Sequence, residues 1–303
     1  MEKHTEKYSL YNADCVEVLK EMPENSIDYC IYSPPFTDLY VYSNSERDLG
    51  NCGGYAEFFE HYRFVVQELC RVIKPGRNIS FHCMNIPAMK QKDGYIAVKD
   101  FRGDCIRLFQ EFGFYYHSEV VIWKDPLIEA TRTKALGLMH KQIQKDSHIC
   151  RQGLPDYVVT MRKPGENEVP IEHKEGFTEY YGKDEPVAHG VKYSHYLWQK
   201  YASPVWMDIR QTHTLNRNPA REEKDEKHLC PLQLDTIARC IALWSNPGEI
   251  VLTPFGGIGS EVYQAIKMGR KGVGIELKES YYNQAIKNCE SVNDEAQLGW
   301  GEI

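Results

Sequence analysis

Apolar positions along the first third of the chain switch between a period of two and a period of 3.6, which predicts strands and helices in turn. Tyr8 to Ala13 reads as a short strand, Val16 to Met22 as a helix, and Ser26 to Tyr32 as an apolar second strand. That strand must stop at Ser33-Pro34-Pro35-Phe36, because adjacent prolines lack donors and fix φ. An amphipathic helix follows from about Tyr55 to Ile73, closed by Lys74-Pro75-Gly76. Asn78 to Cys83 predicts a third strand, Phe101 to Phe112 a helix, and Phe114 to Trp123 and Tyr157 to Arg162 two more strands.

Residues 164–227 break the pattern: they are polar, rich in Glu, His, Tyr and Pro, and weakly periodic. They read as a loop-rich insert. Regularity then returns with a helix over Pro231 to Trp244 and a strand over Ile250 to Leu252. A glycine turn, Phe255-Gly256-Gly257-Ile258-Gly259, leads into a helix over Ser260 to Met268. The strand Lys271 to Ile275 ends at Glu276, and Ser280 to Glu290 is the last helix. Such alternation predicts an α/β protein, a parallel sheet with helices on both faces.

Composition bounds the function classes. The chain has 303 residues, 42% hydrophobic and 26% charged, with a net charge of −7. The apolar fraction suffices for a core and excludes a disordered chain. No long apolar run spans a membrane. The charged N-terminus carries no apolar signal core, so a cytoplasmic location is expected. The ten cysteines contain no C-x-x-C pair and read as reduced, mostly buried thiols. The acidic total argues against nucleic acid as a partner, unless positive charge is segregated.

Strand, glycine turn, helix, strand and acid together form a nucleotide-binding unit. Glycines admit a ligand close to the backbone, and the helix N-terminus offers free N–H groups. Glu276 lies 17 residues after Gly259, where a carboxylate can accept from both ribose hydroxyls. Alone this fits NAD, FAD or S-adenosylmethionine. The turn does not complete G-x-G-x-x-G, and Phe255 could cover an adenosyl group, which favours S-adenosylmethionine.

The turn Ser33-Pro34-Pro35-Phe36 is the more informative. Ser33 Oγ and the Pro34 carbonyl can both accept from one exocyclic NH₂ and localise its lone pair toward an electrophilic methyl group. Phe36 offers a flat face for an extruded base.

With these residues the chain resembles the amino-methylating DNA methyltransferases, the N4-cytosine and N6-adenine group. Asn12-Ala13-Asp14-Cys15, Asn25-Ser26-Ile27-Asp28 and Ser33-Pro34-Pro35-Phe36 resemble the family's N-terminal block. Thr253-Pro254-Phe255-Gly256-Gly257-Ile258-Gly259-Ser260 resembles the cofactor block D-P-F-x-G-x-G-T. Gly272-Val273-Gly274-Ile275-Glu276 resembles the ribose-binding strand, and His228 to Pro231 the segment flanking the cofactor. The catalytic block comes first, as in the circularly permuted β-type order. The resemblance implies a Rossmann-like S-adenosylmethionine-dependent methyltransferase fold. It implies a catalytic half over 1–163, a candidate target-recognition insert over 164–227 and a cofactor half over 228–303.

The resemblance further implies catalysis by Ser33, Pro34, Pro35 and Phe36. Cofactor binding falls to Asp14, Phe255, Gly256, Gly257, Gly259, Ser260 and Glu276. Asp14 can equally cap the helix that follows it. Serine at the first motif position leans toward N4-cytosine, with N6-adenine the alternative. The family's Asp at the head of the glycine motif is Thr253 here. That departure implies weaker cofactor binding or a substitute acid nearby. Carbon-5 methylation needs a cysteine after proline, and none of the 15 prolines is followed by cysteine. Direct attack by the amine, without metal or covalent intermediate, is the remaining route.

Between residues 131 and 163 the charge reverses, with seven basic residues against two acidic ones, a local excess of five. Arg132, Lys134, Lys141, Lys145 and Arg151 are candidate phosphate contacts on double-stranded DNA. In the insert, Arg210, Gln211, His213, Asn216, Arg217 and Asn218 are side-chain types that read base edges. A homodimer and a cognate restriction enzyme are compatible partners. An RNA or protein-amide methyltransferase, a non-catalytic DNA-binding relative and a nicotinamide-dependent oxidoreductase are the competing readings; the last leaves the Ser33–Phe36 turn unexplained.

Overall fold

The computed structural model describes the chain except residues 37–48, 50, 51, 53, 89, 134–139, 149, 175, 178–185, 217, 221–230 and 299–303. Nine strands form one sheet. They are β1 (Glu2–His4), β2 (Tyr8–Tyr11), β3 (Tyr29–Tyr32), β4 (Asn78–Met84) and β5 (Tyr115–Ile122). The others are β6 (Asp156–Arg162), β7 (Val205–Trp206), β8 (Ile250–Thr253) and β9 (Lys271–Ile275). Their order is β1-β2-β9-β8-β3-β4-β6-β5-β7. The five strands β2, β9, β8, β3 and β4 run parallel.

The sheet is mixed rather than wholly parallel as the alternation predicted. Strand β6 is antiparallel to both neighbours, β4 and β5, and β1 is antiparallel to β2. No helical crossover separates β1 from β2, so a tight reversal pairs them. The loop-rich segment 164–227 supplies β7, which extends the sheet edge beside β5 and buries Trp206.

The main helices are α1 (Cys15–Glu21), α2 (Tyr55–Val72), α3 (Phe101–Glu111), α4 (Tyr193–Ala202), α5 (Leu234–Trp244), α6 (Ser260–Lys267) and α7 (Glu279–Leu298). Residues 231–233, expected as helix, are non-helical: α5 begins only after Gln233, whose ψ of 130° is extended. Burial on both faces follows from the pattern of each element. In β3, Cys30 and Tyr32 join the core under α2 and α3, while Tyr29 and Ile31 join the opposite core with Ile237 and Ile241 of α5. Helix α2 buries Phe58, Tyr62, Val65, Val66, Leu69 and Val72, one stripe at helical spacing.

Asp28 ties the two halves of the chain together. Its carboxylate, buried just before β3, accepts from the Ile250 N–H at 2.9 Å and pairs with Lys74 at 2.5 Å. This sets β3 beside β8 with Cys30 opposite Leu252. The Ser33 turn and the glycine turn therefore leave neighbouring strands at the same sheet edge. None of the nine described cysteines is joined in a disulfide. Among the described residues no helix is long and apolar enough to cross a membrane.

Candidate active site

A pocket opens where β3, β8 and β9 end. Ala13, Asp14 and Cys15, the whole Ser33–Phe36 turn, and Pro254 to Ile258 line it together with Ser260, Glu261 and Glu276 to Lys278. The structure thus brings every catalytic and cofactor-binding candidate except Gly259 into one pocket wall. Gly259 acts from behind it: φ is +85°, and a Cβ there would stand 2.9 Å from that of Ala285 on α7. Glycine is what lets α6 start at that angle.

Gly256 lies against β9, its N–H donating to the Ile275 carbonyl at 2.7 Å. A Cβ there would come within 3.2 Å of that same oxygen. The backbone of the turn is thus pressed onto the strand that carries Glu276. One Glu276 oxygen accepts from the Gly257 N–H at 2.7 Å and the other from the Lys278 N–H at 2.8 Å. Two backbone N–H groups thus fix the orientation of the acid at the pocket wall.

Asp14 serves as the α1 cap, accepting from the Val16 N–H at 2.8 Å and the Glu17 N–H at 3.4 Å, and it also lines the pocket. Both of its expected roles are therefore compatible. Phe255 packs at 5.7 Å from the Tyr32 ring and 6.5 Å from that of Tyr62. The two tyrosine hydroxyls hydrogen-bond to each other at 2.6 Å in the core. Phe36 rests at 6.1 Å from Phe101.

Behind Ser33 stands an arrangement that sequence reasoning missed. Ser33 Oγ is 3.0 Å from His82 Nδ1. His82 Nε2 is 3.1 Å from Asp156 Oδ2, and Lys124 Nζ is 2.5 Å from Asp156 Oδ1. His82 comes from β4, Asp156 from the start of β6, and Lys124 from just beyond β5. All three are buried. Burial raises the Asp156 pKa, but the adjacent His82 ring and Lys124 ammonium outweigh it and hold the carboxyl below its ordinary value. A signal existed: Asn78, Ser80 and His82 place polar groups at every second position of an otherwise apolar strand. Ser80 is satisfied by Thr160 at 2.8 Å, which leaves His82 as the polar residue facing the turn.

The basic candidates are less concentrated than their sequence spacing suggests. Lys141 and Lys145 are exposed. Arg151 is half-buried, donates to the Gln152 carbonyl at 3.0 Å, and burial lowers its pKa. Lys163, counted in the local excess, is spent on structure, donating to Asn25 Oδ1 and the Ile73 carbonyl. Lys134 and the Arg132 side chain lie outside the described residues. Arg210 and His213 both turn to Asp235 at the start of α5. Arg217, residues 228–230 and the Asn218 side chain lie outside the description, while Pro231 lines the pocket.

Comparison with known proteins agrees with this geometry. The chain is 24% identical over 297 residues to the type II methyltransferase M.BamHI of Bacillus amyloliquefaciens, covering 96% of this chain and 57% of that protein. It therefore spans little more than half the length of that relative. A solved structure of TTHA0409, a DNA modification methylase of Thermus thermophilus in complex with S-adenosyl-L-methionine, superposes with a TM-score of 0.65 at 20% identity, covering 93% of each chain. PvuII DNA methyltransferase, described as cytosine-N4-specific, superposes at 0.57 with 17% identity, covering 96% of this chain and 91% of the other. Both superpositions show the shared Rossmann-like methyltransferase fold, and S-adenosylmethionine is the cofactor. The pocket fits it, since it sets the Glu276 carboxylate in one wall and leaves open space over Gly257 of the glycine turn. The family described as DNA methylase, of N6/N4 type, matches residues 27–287, and the chain belongs to it.

Proposed function

We propose that this chain transfers the methyl group of S-adenosylmethionine to the exocyclic N4 of a cytosine in double-stranded DNA, at a specific site. The observation that carries the reading is the Ser33 hydroxyl, set beside the cofactor pocket and backed by His82. The Asp156 carboxylate favours the His82 tautomer with its proton on Nε2. Nδ1 then accepts the Ser33 hydroxyl proton. The Ser33 oxygen keeps its lone pairs for the NH₂ of a base, alongside the Pro34 carbonyl. Two acceptors on one amine localise the nitrogen lone pair. Bound S-adenosylmethionine supplies the electrophilic methyl group, and the Pro34-Pro35 pair holds the acceptors rigid.

Phe36 stacks on the extruded ring in this reading. Lys141 and Lys145, with Arg132, Lys134 and Arg151, contact phosphates, and the 164–227 segment reads the target site. The type II designation of M.BamHI makes a restriction endonuclease of the same site the fitting partner, and both would work in the cytoplasm.

The test is incubation with isotope-labelled S-adenosylmethionine and DNA of many sequences, digestion to nucleosides and mass spectrometry. Labelled N4-methylcytosine is the expected product. N6-methyladenine would move the assignment to the other base of the same family. Transfer to neither base would overturn the reading.

A further inference from the structure

Three acidic side chains line the cofactor pocket among the described residues: Asp14, Glu261 and Glu276. Two are committed. Asp14 caps α1, and Glu276 is held by two backbone N–H groups at the ribose end. Glu261, in the first turn of α6, is 5% exposed. Among the described residues it makes no salt bridge and no side-chain hydrogen bond with another residue; only its own backbone N–H bonds its carboxyl.

The family's acid at the head of the glycine motif is absent, since Thr253 ends β8 there. Thr253 is fully buried, and its hydroxyl has no hydrogen-bond partner. A buried polar group without a partner costs stability, and a buried carboxylate without a cation costs more. Two such groups bracket the glycine turn, one on each side. A cationic ligand entering the pocket would relieve the carboxylate.

We infer that Glu261 is the acid that binds the ammonium group of the cofactor's amino-acid arm, replacing the carboxylate that Thr253 lacks. The acid has moved from the end of the strand to the first turn of the following helix, across the Phe255–Gly259 turn. Burial, and after it the nearby Glu276 carboxylate, pushes the Glu261 carboxyl up to about 8, as expected of an acid awaiting a cation. Among the described residues, Cys30 of β3, Asp14 and Cys15 at the head of α1, and Lys278 and Tyr281 after β9 are further titratable groups around it.

This inference rests on the pocket being the S-adenosylmethionine site, and the experiment separates the two. Calorimetry on the full chain measures the Kd of S-adenosylmethionine and of 5′-methylthioadenosine, which keeps the adenosyl group but lacks the amino-acid arm. E261Q is expected to weaken S-adenosylmethionine by about 10- to 100-fold, the range of a charge-assisted hydrogen bond. It should leave methylthioadenosine unchanged, which also shows that the variant folds. Unchanged S-adenosylmethionine affinity in E261Q, or an equal loss for both ligands, would overturn the role of Glu261. Failure of the wild-type chain to bind either ligand would instead overturn the reading of the pocket.

Discussion

Ser33 Oγ and His82 Nδ1 stand 3.0 Å apart although 49 residues separate them in the chain. Strands β3 and β4 are parallel neighbours with Tyr32 opposite Phe81, so Ser33 and His82 leave the register one residue later on the same side. The serine is therefore not a free hydroxyl on a turn. Its rotamer and its proton are set by a buried imidazole. Replacing His82 with alanine should lower the single-turnover methylation rate by about 100-fold, the lower end of what proton-handling groups contribute. The Kd of S-adenosylmethionine should stay within a factor of about two. Rapid-quench kinetics and calorimetry check the split, and an unchanged rate would show that Ser33 needs no partner.

Asp156 sits between the Lys124 ammonium and the His82 imidazole in the interior, and removing its charge leaves the buried ammonium without an anion. Asp156→Asn should destabilise the fold by about 3–5 kcal/mol, the usual cost of breaking a buried pair from one side. Its pKa is depressed in the folded state. Its contribution to stability is therefore present above the unfolded carboxyl range and lost as pH falls through the folded value. Urea unfolding between about pH 3 and 7 should show this loss in the wild-type chain below about pH 4. The asparagine variant should lack that component, and a parallel decline in both would argue against it.

Phe36 packs 6.1 Å from the Phe101 ring and lines the pocket. Phe36→Ala should reduce methyl transfer by about 10- to 100-fold, consistent with about 1–3 kcal/mol for base stacking, while leaving cofactor affinity near wild type. Equal losses in both measurements would make Phe36 a wall of the cofactor pocket rather than a platform for the base.

Much of this site could be read in the sequence because its chemistry is local. The Ser33–Phe36 turn and the Phe255–Gly259 turn are contiguous segments whose prolines and glycines constrain the backbone wherever they occur. The strand and helix periods placed both at strand ends. What stayed hidden was every partnership made across strands. His82 and Asp156 meet only because β6 runs antiparallel to β4 with Met84 opposite Asp156, and periodicity carries no information on strand direction. The same blindness produced the expectation of a wholly parallel sheet. The charge count over 131–163 could not tell exposed cations from structural ones, and Lys163 is drawn inward by carbonyls of the α2 C-terminus.

Lys141 and Lys145 are the exposed cations left on the described part of that segment. If both contact phosphates, changing the pair to alanine should reduce the salt slope of DNA binding by about two, at roughly −0.9 per contact. Fluorescence anisotropy from about 50 to 200 mM salt measures it. An unchanged slope would place the DNA elsewhere.

Glu261 makes a prediction about the empty protein that needs no ligand. Its carboxyl is raised from an ordinary 4.5 to about 8 by burial and by Glu276. A group raised on folding favours the folded state fully below its unfolded pKa, and that advantage disappears as pH climbs through the folded value. The cofactor-free chain should therefore lose stability steadily from about pH 5 to pH 8. E261Q cannot ionise, so its profile over the same window should be flatter and should cross the wild-type profile, ending more stable by up to a few kcal/mol near pH 8. Denaturant titrations of both proteins at half-unit pH steps supply the two curves. Parallel curves would mean that Glu261 is solvated and ionised in the empty pocket, and not held neutral until a cation arrives.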